Sequence, residues 1–279
     1  MLYISKGSIS KIISQLKSQN KQISKLDSLI LRLLGSPQSG WIDMKETLNS
    51  KGDFLYKLTK AKAALRNITL IPGETTYVFL DQLSLSLNLD RNKLKDEYEK
   101  RTNSPEGNFA PDTYSVPIGI TEKELIGLLL QVSDSKMREL SIKFFGSYNK
   151  TKWLHYVAIA SVIQKESANA QEMPIVSSVI YNRIKKGMRL QMDGTLNYGQ
   201  YSHVKVTPQR IREDKSVYNT YLRAGVPTSP VCNVGVEAIV AAIFPANTDY
   251  LYFMKSKKGT HDFSRNYSTH LDNIKHATK

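Results

Sequence analysis

The pattern of apolar and polar positions predicts a helix in the stretch KWLHYVAIASVIQKESANA, residues 152–170. Ile159, Ile163 and Glu166 lie at spacings of i, i+4 and i+7, which places them on one face of that helix. Three neighbouring polar side chains are expected to point the other way: Ser161, Gln164 and Lys165. A carboxylate thus lies at the end of an apolar helix face although polar positions are available beside it, which makes Glu166 a candidate catalytic residue.

A second amphipathic helix is predicted for EMPIVSSVIYNRIKKG, residues 172–187, ended by Gly187. Arg183 follows three apolar residues of this helix at spacings of i+7, i+4 and i+3, so its side chain is predicted to point toward the interior. Those three residues are Val176, Val179 and Ile180. Asn182 lies at the edge of the same face.

Start and stop signals predict the remaining elements. Thr121 and Glu124 form a capping box before the apolar run ELIGLLL. TPQRIRED begins a short helix with proline in its first turn, GVEAIVAAIF predicts a further helix, and YLYFM with HDFS predicts a hairpin. The Pro- and Gly-rich stretch 102–119 is expected to be an irregular passage into a second unit. Strands and helices that alternate irregularly predict an α+β fold.

Two segments resemble each other: YISKGSISKIISQL (3–16) and TLIPGETTYVFLDQL (69–83). Each predicts a short strand, a glycine turn and a helix, with Ser8 and either Thr75 or Thr76 as N-caps. This opening is similar to that of LysM-like glycan-binding modules, although such turns are also common in unrelated proteins.

The composition is that of a globular protein with two compact units: 279 residues, of which 41% are hydrophobic. A formal net charge of +14 indicates anionic surroundings, such as nucleic acid, membrane headgroups or an acidic polymer. A surface that merely keeps the protein soluble explains the charge equally well. The excess is greatest in residues 1–69, where twelve Lys and Arg stand against four acids, namely Asp27, Asp43, Glu46 and Asp53.

The sequence lacks the features that several classes of function require. No apolar run is long enough to span a bilayer, no signal peptide is visible, and the single cysteine, Cys232, rules out an internal disulfide. The five histidines do not cluster, and HExxH, Walker A, GxGxxG and GxSxG motifs are absent, so neither a metal nor a cofactor is expected. The basic residues are not interleaved with aromatic residues, which argues against nucleic acid.

Glu166 is the leading catalytic candidate. Burial on an apolar face raises the pKa of a carboxyl group, and a proton kept near neutrality makes a general acid for glycoside cleavage. Alternatively, Glu166 ends its helix and turns outward, or pairs with Arg183. A buried Arg183 needs a counter-charge; Asp193 is the partner that an acid role of Glu166 requires, and a snorkelling arginine is the simpler alternative.

The loop that follows combines amide, carboxylate, hydroxyl and aromatic groups, as sugar-binding sites do. It contains Gln191, Asp193, Thr195 and Tyr198, and YNTY at 218–221 has a similar mixture. Ordinary loops also have this composition.

Four motifs occur in order at short spacings: IASVIQKES, VSSVIYNRIKKGMRLQMDGTLNYG, YNTYLRAGVPTSPVCNVGVEAIVAAIFPANTDYLYF and KKGTHDFSRNYSTH. They closely resemble the endolytic murein transglycosylases, the MltG or YceG-like family; IPGET and EGNFAPDTY resemble it as well. The resemblance implies a LysM-like region at 1–69 and a YceG-like catalytic domain at 70–279, with 70–105 as a candidate second LysM-like element.

The family's catalytic glutamate maps to Glu166, since Gln164 replaces the first acid of its Glu-Lys-Glu signature. The positions that match family motifs, and are therefore expected to bind substrate, are Asn182, Arg183, Gln191, Asp193, Thr195, Tyr198, Tyr218, Asn219 and Thr220. Met192 and Gly194 stand where the family usually has Thr and Pro, and Val234 stands where a Pro is usual, which puts the rigidity of the loop in question.

The resemblance implies cleavage of the β-1,4 bond between N-acetylmuramic acid and N-acetylglucosamine within glycan strands, which leaves 1,6-anhydro ends. It also implies an enzyme anchored in the bacterial inner membrane by one N-terminal helix that this chain lacks, with the catalytic part outside the cytoplasm. Penicillin-binding proteins are candidate partners. A muramidase-type hydrolase that activates water through Asp193 and a non-catalytic glycan-binding scaffold remain the alternatives.

Overall fold

The computed structural model of the chain describes residues 2–5, 7–19, 21, 23–42, 44 and 50–278. Of the predicted N-terminal region, Met1, Asp43 and Glu46 lie outside the described residues. The described residues combine helices with small antiparallel sheets, each of two strands, which confirms the α+β class.

The first unit has the order strand, helix, helix, strand. Its elements are β1 (Leu2–Ile4), α1 (Ile9–Ser18), α2 (Lys25–Leu34) and β2 (Gly40–Ile42). β1 and β2 pair antiparallel, with Tyr3 opposite Trp41. Ser8 caps α1 as predicted, since its hydroxyl accepts from the Lys11 amide. α3 (Lys51–Lys60) then packs against α2 and contributes Phe54 to the same hydrophobic cluster.

The second unit repeats this order. Its elements are β3 (Leu65–Thr69), α4 (Thr76–Leu87), α5 (Arg91–Glu99) and β4 (Thr113–Pro117). Thr75, one of the two candidates, is the N-cap of α4. The predicted boundary between residues 69 and 70 directly follows β3, whose antiparallel partner β4 lies beyond it.

The prediction that residues 102–119 are irregular holds for 102–112 and is wrong for 113–117. Residues 113–117 are strand β4, and the side chains of Phe109 and Tyr114 are buried against Phe79. Alternate burial of Tyr114 and Val116 along β4 is the pattern of a strand with one face on a core, which the prolines and glycines around it obscured.

The remaining elements form the larger C-terminal part. They are α6 (Glu122–Phe145), α7 (Lys150–Glu166), α8 (Met173–Lys185), α9 (Pro208–Glu213), α10 (Val236–Ile243), β5 (Tyr252–Lys255), β6 (His261–Ser264) and α11 (Tyr267–Thr278). The capping box of Thr121 and Glu124 and the hairpin β5–β6 are present as predicted. In the described part of the chain, no helix combines the length and hydrophobicity needed to cross a bilayer.

The core of the C-terminal part is built around α7, which packs against α8 and α10. The expectation that α7 has a polar outer face is wrong for its central stretch. Its residues from Val157 to Ile163 are all buried, and Ser161 is 0% exposed. Loop residues 231–235 and α10 cover the side that the sequence pattern assigned to water, so this stretch of α7 is enclosed, whereas the first turns of the helix stay exposed, as at His155.

Candidate active site

Glu166 is the last residue of α7. The helix ends there because Ser167 is extended, although its amide still donates to the Ile163 carbonyl at 3.0 Å. Glu166 therefore stands at the end of a helix whose central stretch is buried, and its side chain lines a cavity.

Polar side chains near the end of α7 fix its position. Ser161 Oγ accepts from the Val231 amide at 2.8 Å, and Gln164 Oε1 accepts from the Gly235 amide at 3.1 Å. Lys165 Nζ donates to Ser202 Oγ at 3.0 Å. These bonds link α7 to loops that lie far away in the sequence, which restrains the backbone at Glu166.

Glu166 lines a cavity of about 230 Å³. The loop after α8 and the loop before α10 form one wall, with Gln191, Met192, Asp193 and Tyr221. Arg183 of α8 lines the cavity as well. Of the predicted site residues, the structure thus brings Glu166, Arg183, Gln191 and Asp193 to one cavity.

The surroundings of Glu166 favour its protonated form near neutrality. Burial raises the pKa of Glu166 to about 7, which is the main effect. The Gly194 amide donates to Glu166 Oε1 at 2.6 Å and lowers the pKa, the negative charge of Asp193 raises it, and the positive charge of Arg183 lowers it. Glu166 does end its helix, as the first alternative had it, but its side chain lines the cavity instead of turning outward. Its hydrogen bond comes from the Gly194 amide and not from Arg183.

The close approach of Gly194 to Glu166 depends on the absence of a side chain. A Cβ at this position would lie 2.8 Å from Glu166 Oε1 and 2.7 Å from Lys165 Cβ, closer than such atoms pack. A proline there would in addition lack the donating amide. Gly194, noted above as a departure from the family pattern, therefore helps to position the carboxyl group of Glu166 in this chain.

Arg183 is buried and points inward as predicted, but its partners are not those expected. Its Nε donates to the Leu251 carbonyl at 2.6 Å and its Nη1 to the Leu190 carbonyl, and the guanidinium lies 5.5 Å from the ring centre of Tyr252. The expected pairing with Asp193 is wrong. Two carbonyl groups that the loops direct at the guanidinium take the place of a counter-charge.

Asp193 has a different partner, since Tyr221 Oη donates to Asp193 Oδ1 at 2.6 Å. Burial is the main reason that the pKa of Tyr221 is raised, and the neighbouring Asp193 adds to it. Gln191 has a φ of 47°, a left-handed backbone conformation that costs energy for a residue other than glycine. Such strain is typical of functional loops.

The other predicted substrate-binding residues lie outside this cavity and support its walls. Asn182 Nδ2 donates to the carbonyl groups of Thr248 and Tyr250, at 2.8 and 3.0 Å. Thr195 Oγ1 and Thr220 Oγ1 lie 3.0 Å apart, and both residues are fully or almost fully buried. Their burial favours a supporting role over direct contact with a substrate.

Three further members of the predicted set form a second polar group. Asn219 is buried and donates to the carbonyl groups of Ile211 and Asp214. The rings of Tyr198 and Tyr218 stack at 4.4 Å, and Tyr198 Oη donates to Asp214 Oδ2 at 3.0 Å. A role for these residues in binding substrate stays a prediction.

The hairpin β5–β6 forms the opposite part of the lining, which the sequence analysis did not assign to the site. It contributes Phe253, Met254, Lys255 and His261. The motif THDFS contains His261 and was noted as a family motif, but its position in a hairpin far along the chain gave no sign of proximity to Glu166. In the described part of the chain, no group of three or more His, Cys, Asp and Glu is placed to hold a metal ion.

Comparison with known proteins gives a consistent result. Over 220 residues the chain is 28% identical to the endolytic murein transglycosylase of Bacillus subtilis, a match that covers 77% of this chain and 61% of the relative. It is 27% identical to the endolytic murein transglycosylase of Streptococcus pneumoniae strain R6, over 61% of this chain and 31% of the relative. The matches thus span less than two thirds of the length of these relatives.

The fold is similar to that in a crystal structure of a yceG-like protein from Listeria monocytogenes. The TM-score is 0.64 at 22% identity, and the similarity covers 97% of both chains. The model of the YceG-like family matches residues 2–276, nearly the entire chain. This chain therefore belongs to the YceG-like family.

Proposed function

We propose that this protein is a lytic transglycosylase that cleaves β-1,4 bonds between N-acetylmuramic acid and N-acetylglucosamine within peptidoglycan strands. The observation that carries the proposal is a single carboxyl group, Glu166, with a pKa raised to about 7 in a cavity lined by polar groups. The name of the relatives, endolytic murein transglycosylase, and the family match support it.

In the first half of the reaction, protonated Glu166 gives its proton to the glycosidic oxygen while positive charge develops at the sugar ring. A pKa near the working pH leaves the acid protonated and yet able to release its proton. The Gly194 amide stabilises the carboxylate that results, because it already donates to Glu166 Oε1.

In the second half, the carboxylate of Glu166 takes the proton of the C6 hydroxyl of the muramoyl residue, and O6 bonds to C1 to close a 1,6-anhydro ring. The nucleophile belongs to the same sugar, so its effective concentration is high. The reaction needs no activated water, which is why one carboxyl group that alternates between acid and base suffices.

Asp193 supports a second candidate, a muramidase-type hydrolase. Its carboxylate lines the same cavity as Glu166, so it is placed among the residues that could activate a water molecule. Its hydrogen bond from Tyr221 occupies one oxygen and leaves the other available in this role. The two candidates differ in their products, because hydrolysis leaves a reducing end and transglycosylation leaves an anhydro end.

The proposal extends to the N-terminal units and to location. Both units open with a strand, a turn and a helix, as LysM-like modules do. The excess of basic residues in 1–69 suits an anionic polymer or lipid surface. They would hold glycan near the catalytic part at the bacterial inner membrane, on the side where peptidoglycan lies. An enzyme that terminates new strands would work beside penicillin-binding proteins.

The test is the substitution Glu166→Gln, which keeps an oxygen to accept the Gly194 amide but cannot transfer a proton. We expect the variant to fold normally and to lose strand cleavage by about 10²- to 10⁴-fold or more. Mass spectrometry of digested sacculi should show anhydro ends from the parent protein alone. Glu139→Gln, on the exposed surface of α6, is the matched control and should cleave like the parent.

Full cleavage by Glu166→Gln would contradict the assignment. Sacculus binding without turnover by the parent protein would favour the scaffold alternative, and reducing ends would favour the hydrolase.

A further inference from the structure

Glu172 and His261 form a largely buried pair at the cavity, and no step of the proposed reaction uses this pair. Glu172 Oε1 accepts from the His261 amide at 2.7 Å, and its Oε2 lies 2.7 Å from His261 Nδ1. The Ala168 amide also donates to Oε2, at 3.3 Å. Glu172 thus links His261, the first residue of β6, to the turn that follows Glu166 and connects α7 to α8.

The pair fixes which nitrogen of His261 carries a proton. Burial acts to raise the pKa of Glu172, but the hydrogen bonds from His261 and Ala168 outweigh it and hold the pKa below its usual value. Glu172 is therefore a carboxylate, which can only accept, so Nδ1 of His261 is the donor. The ring of Phe253 contacts the imidazole edge to face at 5.3 Å and restrains its orientation.

The second nitrogen of His261 is left for another partner. His261 lines the cavity that contains Glu166. No described residue forms a hydrogen bond with Nε2, whereas every contact of Nδ1 and the amide goes to Glu172. Lys255 stands directly opposite His261 across the hairpin and lines the same cavity, so this wall presents polar groups to whatever the cavity holds.

We propose that His261 is a substrate-binding residue, which through Nε2 forms a hydrogen bond with a hydroxyl or acetamido group of the amino sugar bound beside Glu166. The inference rests on the proposed function for the nature of the sugar. Glu172 is the positioning residue, because it acts only through the imidazole. The arrangement parallels the general device in which a carboxylate on one ring nitrogen fixes the tautomer and aim of the other.

Two substitutions separate this role from a structural one. Asparagine at position 261 can place its amide nitrogen near the position of Nδ1 and keep the bond to Glu172, but it has no group at Nε2. Glutamine can reach the position of Nε2 but not that of Nδ1. We expect His261→Asn to raise KM for glycan strands about tenfold, the effect of one lost hydrogen bond, and His261→Gln to restore KM to within about threefold of the parent.

The outcomes divide clearly. If Glu172 needs His261 only for folding, His261→Asn will behave like the parent and His261→Gln will be the defective variant, which overturns the proposal. An unchanged KM in both variants overturns it as well. His155→Ala, at an exposed position of α7, is the control and should leave KM unchanged.

A spectroscopic measurement keeps the inference separate from the proposed reaction. In the Glu166→Gln variant with labelled histidine, addition of an N-acetylglucosamine tetramer should shift the Nε2 resonance of His261 in a long-range proton–nitrogen spectrum and leave His155 unshifted. An unshifted His261 resonance overturns the inference. Failure of the proposed function would show elsewhere, as absence of strand cleavage by the parent protein.

Discussion

At the scale of the residue, the behaviour of Glu166 follows from opposing contributions to its pKa. Burial and the charge of Asp193 favour the protonated form, while the Gly194 amide and Arg183 favour the carboxylate. A general acid that must later act as a base needs such a balance, because a strongly shifted pKa in either direction would favour only one half of the reaction.

The pH dependence of cleavage follows from this balance. Because the free enzyme must carry a proton on Glu166, we expect kcat/KM to fall as the pH rises through about 7. Asp193→Asn removes a negative charge that raises the pKa, so the fall should begin at lower pH in this variant. Asp262→Asn, an exposed carboxylate on β6, should leave the profile unchanged. A fall near the usual carboxyl pKa, or no shift in Asp193→Asn, would contradict the account.

Gly194 offers a second prediction at this scale. The Cβ of Gly194→Ala would overlap Glu166 Oε1 and Lys165 Cβ, so the carboxyl group must move. We expect kcat/KM to fall at least about tenfold, since small displacements of catalytic groups are costly, with about 1–3 kcal/mol lost from the free energy of unfolding.

Gly127→Ala is the matched control for this substitution. Nothing lies within 4 Å of a Cβ at this position in α6, so the variant should be active and slightly more stable, as a better helix former. Kinetics and urea unfolding measure both quantities. Full activity in Gly194→Ala would show that the close approach at Glu166 is not required.

At the scale of the element, the sequence predicted those helix ends and turns that depend on interactions between residues close in the chain. The capping box at Thr121, the end of α8 at Gly187 and the hairpin β5–β6 all depend on residues close in the sequence, and all are present. The enclosure of α7 depends instead on loop residues far along the chain. A buried serine that accepts from a distant amide, as Ser161 does from Val231, has the same sequence pattern as an exposed one.

The candidate site divides in the same way. Glu166 and the inward aim of Arg183 follow from helical spacing, so the sequence predicted both. The carbonyl partners of Arg183 and the contribution of His261 to the cavity arise where separate segments meet, and no periodicity encodes such a meeting. Resemblance to the family pointed to Gln191 and Asp193, which line the cavity, but not to the hairpin side chains that complete the lining.

At the scale of the whole molecule, the described residues form three separate hydrophobic clusters, one in each N-terminal unit and one around α7. The expectation of two compact units did not separate the first two. Glu106 lies where the second unit meets the C-terminal part. It is 3% exposed and accepts from the Thr76 amide at the start of α4 at 2.6 Å, while Thr75 Oγ1 donates to the Gly199 carbonyl at 2.8 Å.

Glu106 predicts a pH dependence of stability. Burial raises its pKa from 4.5 to about 8 in the folded protein. As the pH rises, the carboxyl group of Glu106 therefore loses its proton at lower pH in the unfolded chain than in the folded protein. Between about pH 4.5 and about pH 8, its contribution to the free energy of unfolding falls by about 1.4 kcal/mol for each pH unit.

Glu106→Gln removes this contribution while its side-chain oxygen still accepts from Thr76. We expect the variant to match the parent below about pH 5 and to be more stable by a few kcal/mol above about pH 8, in urea unfolding. Glu99→Gln, an exposed carboxylate in the same region, is the control. If the parent and Glu106→Gln showed parallel curves, Glu106 would not hold a proton at neutral pH in the fold.

The central claim is that Glu166 directs the sugar's own C6 hydroxyl to C1 and that water takes no part. Digestion of purified glycan strands in heavy-oxygen water, followed by mass spectrometry of the muramoyl ends, tests this most directly. The account predicts ends that are one water molecule lighter than a reducing end and contain no heavy oxygen. Reducing ends labelled with heavy oxygen at C1 would contradict it.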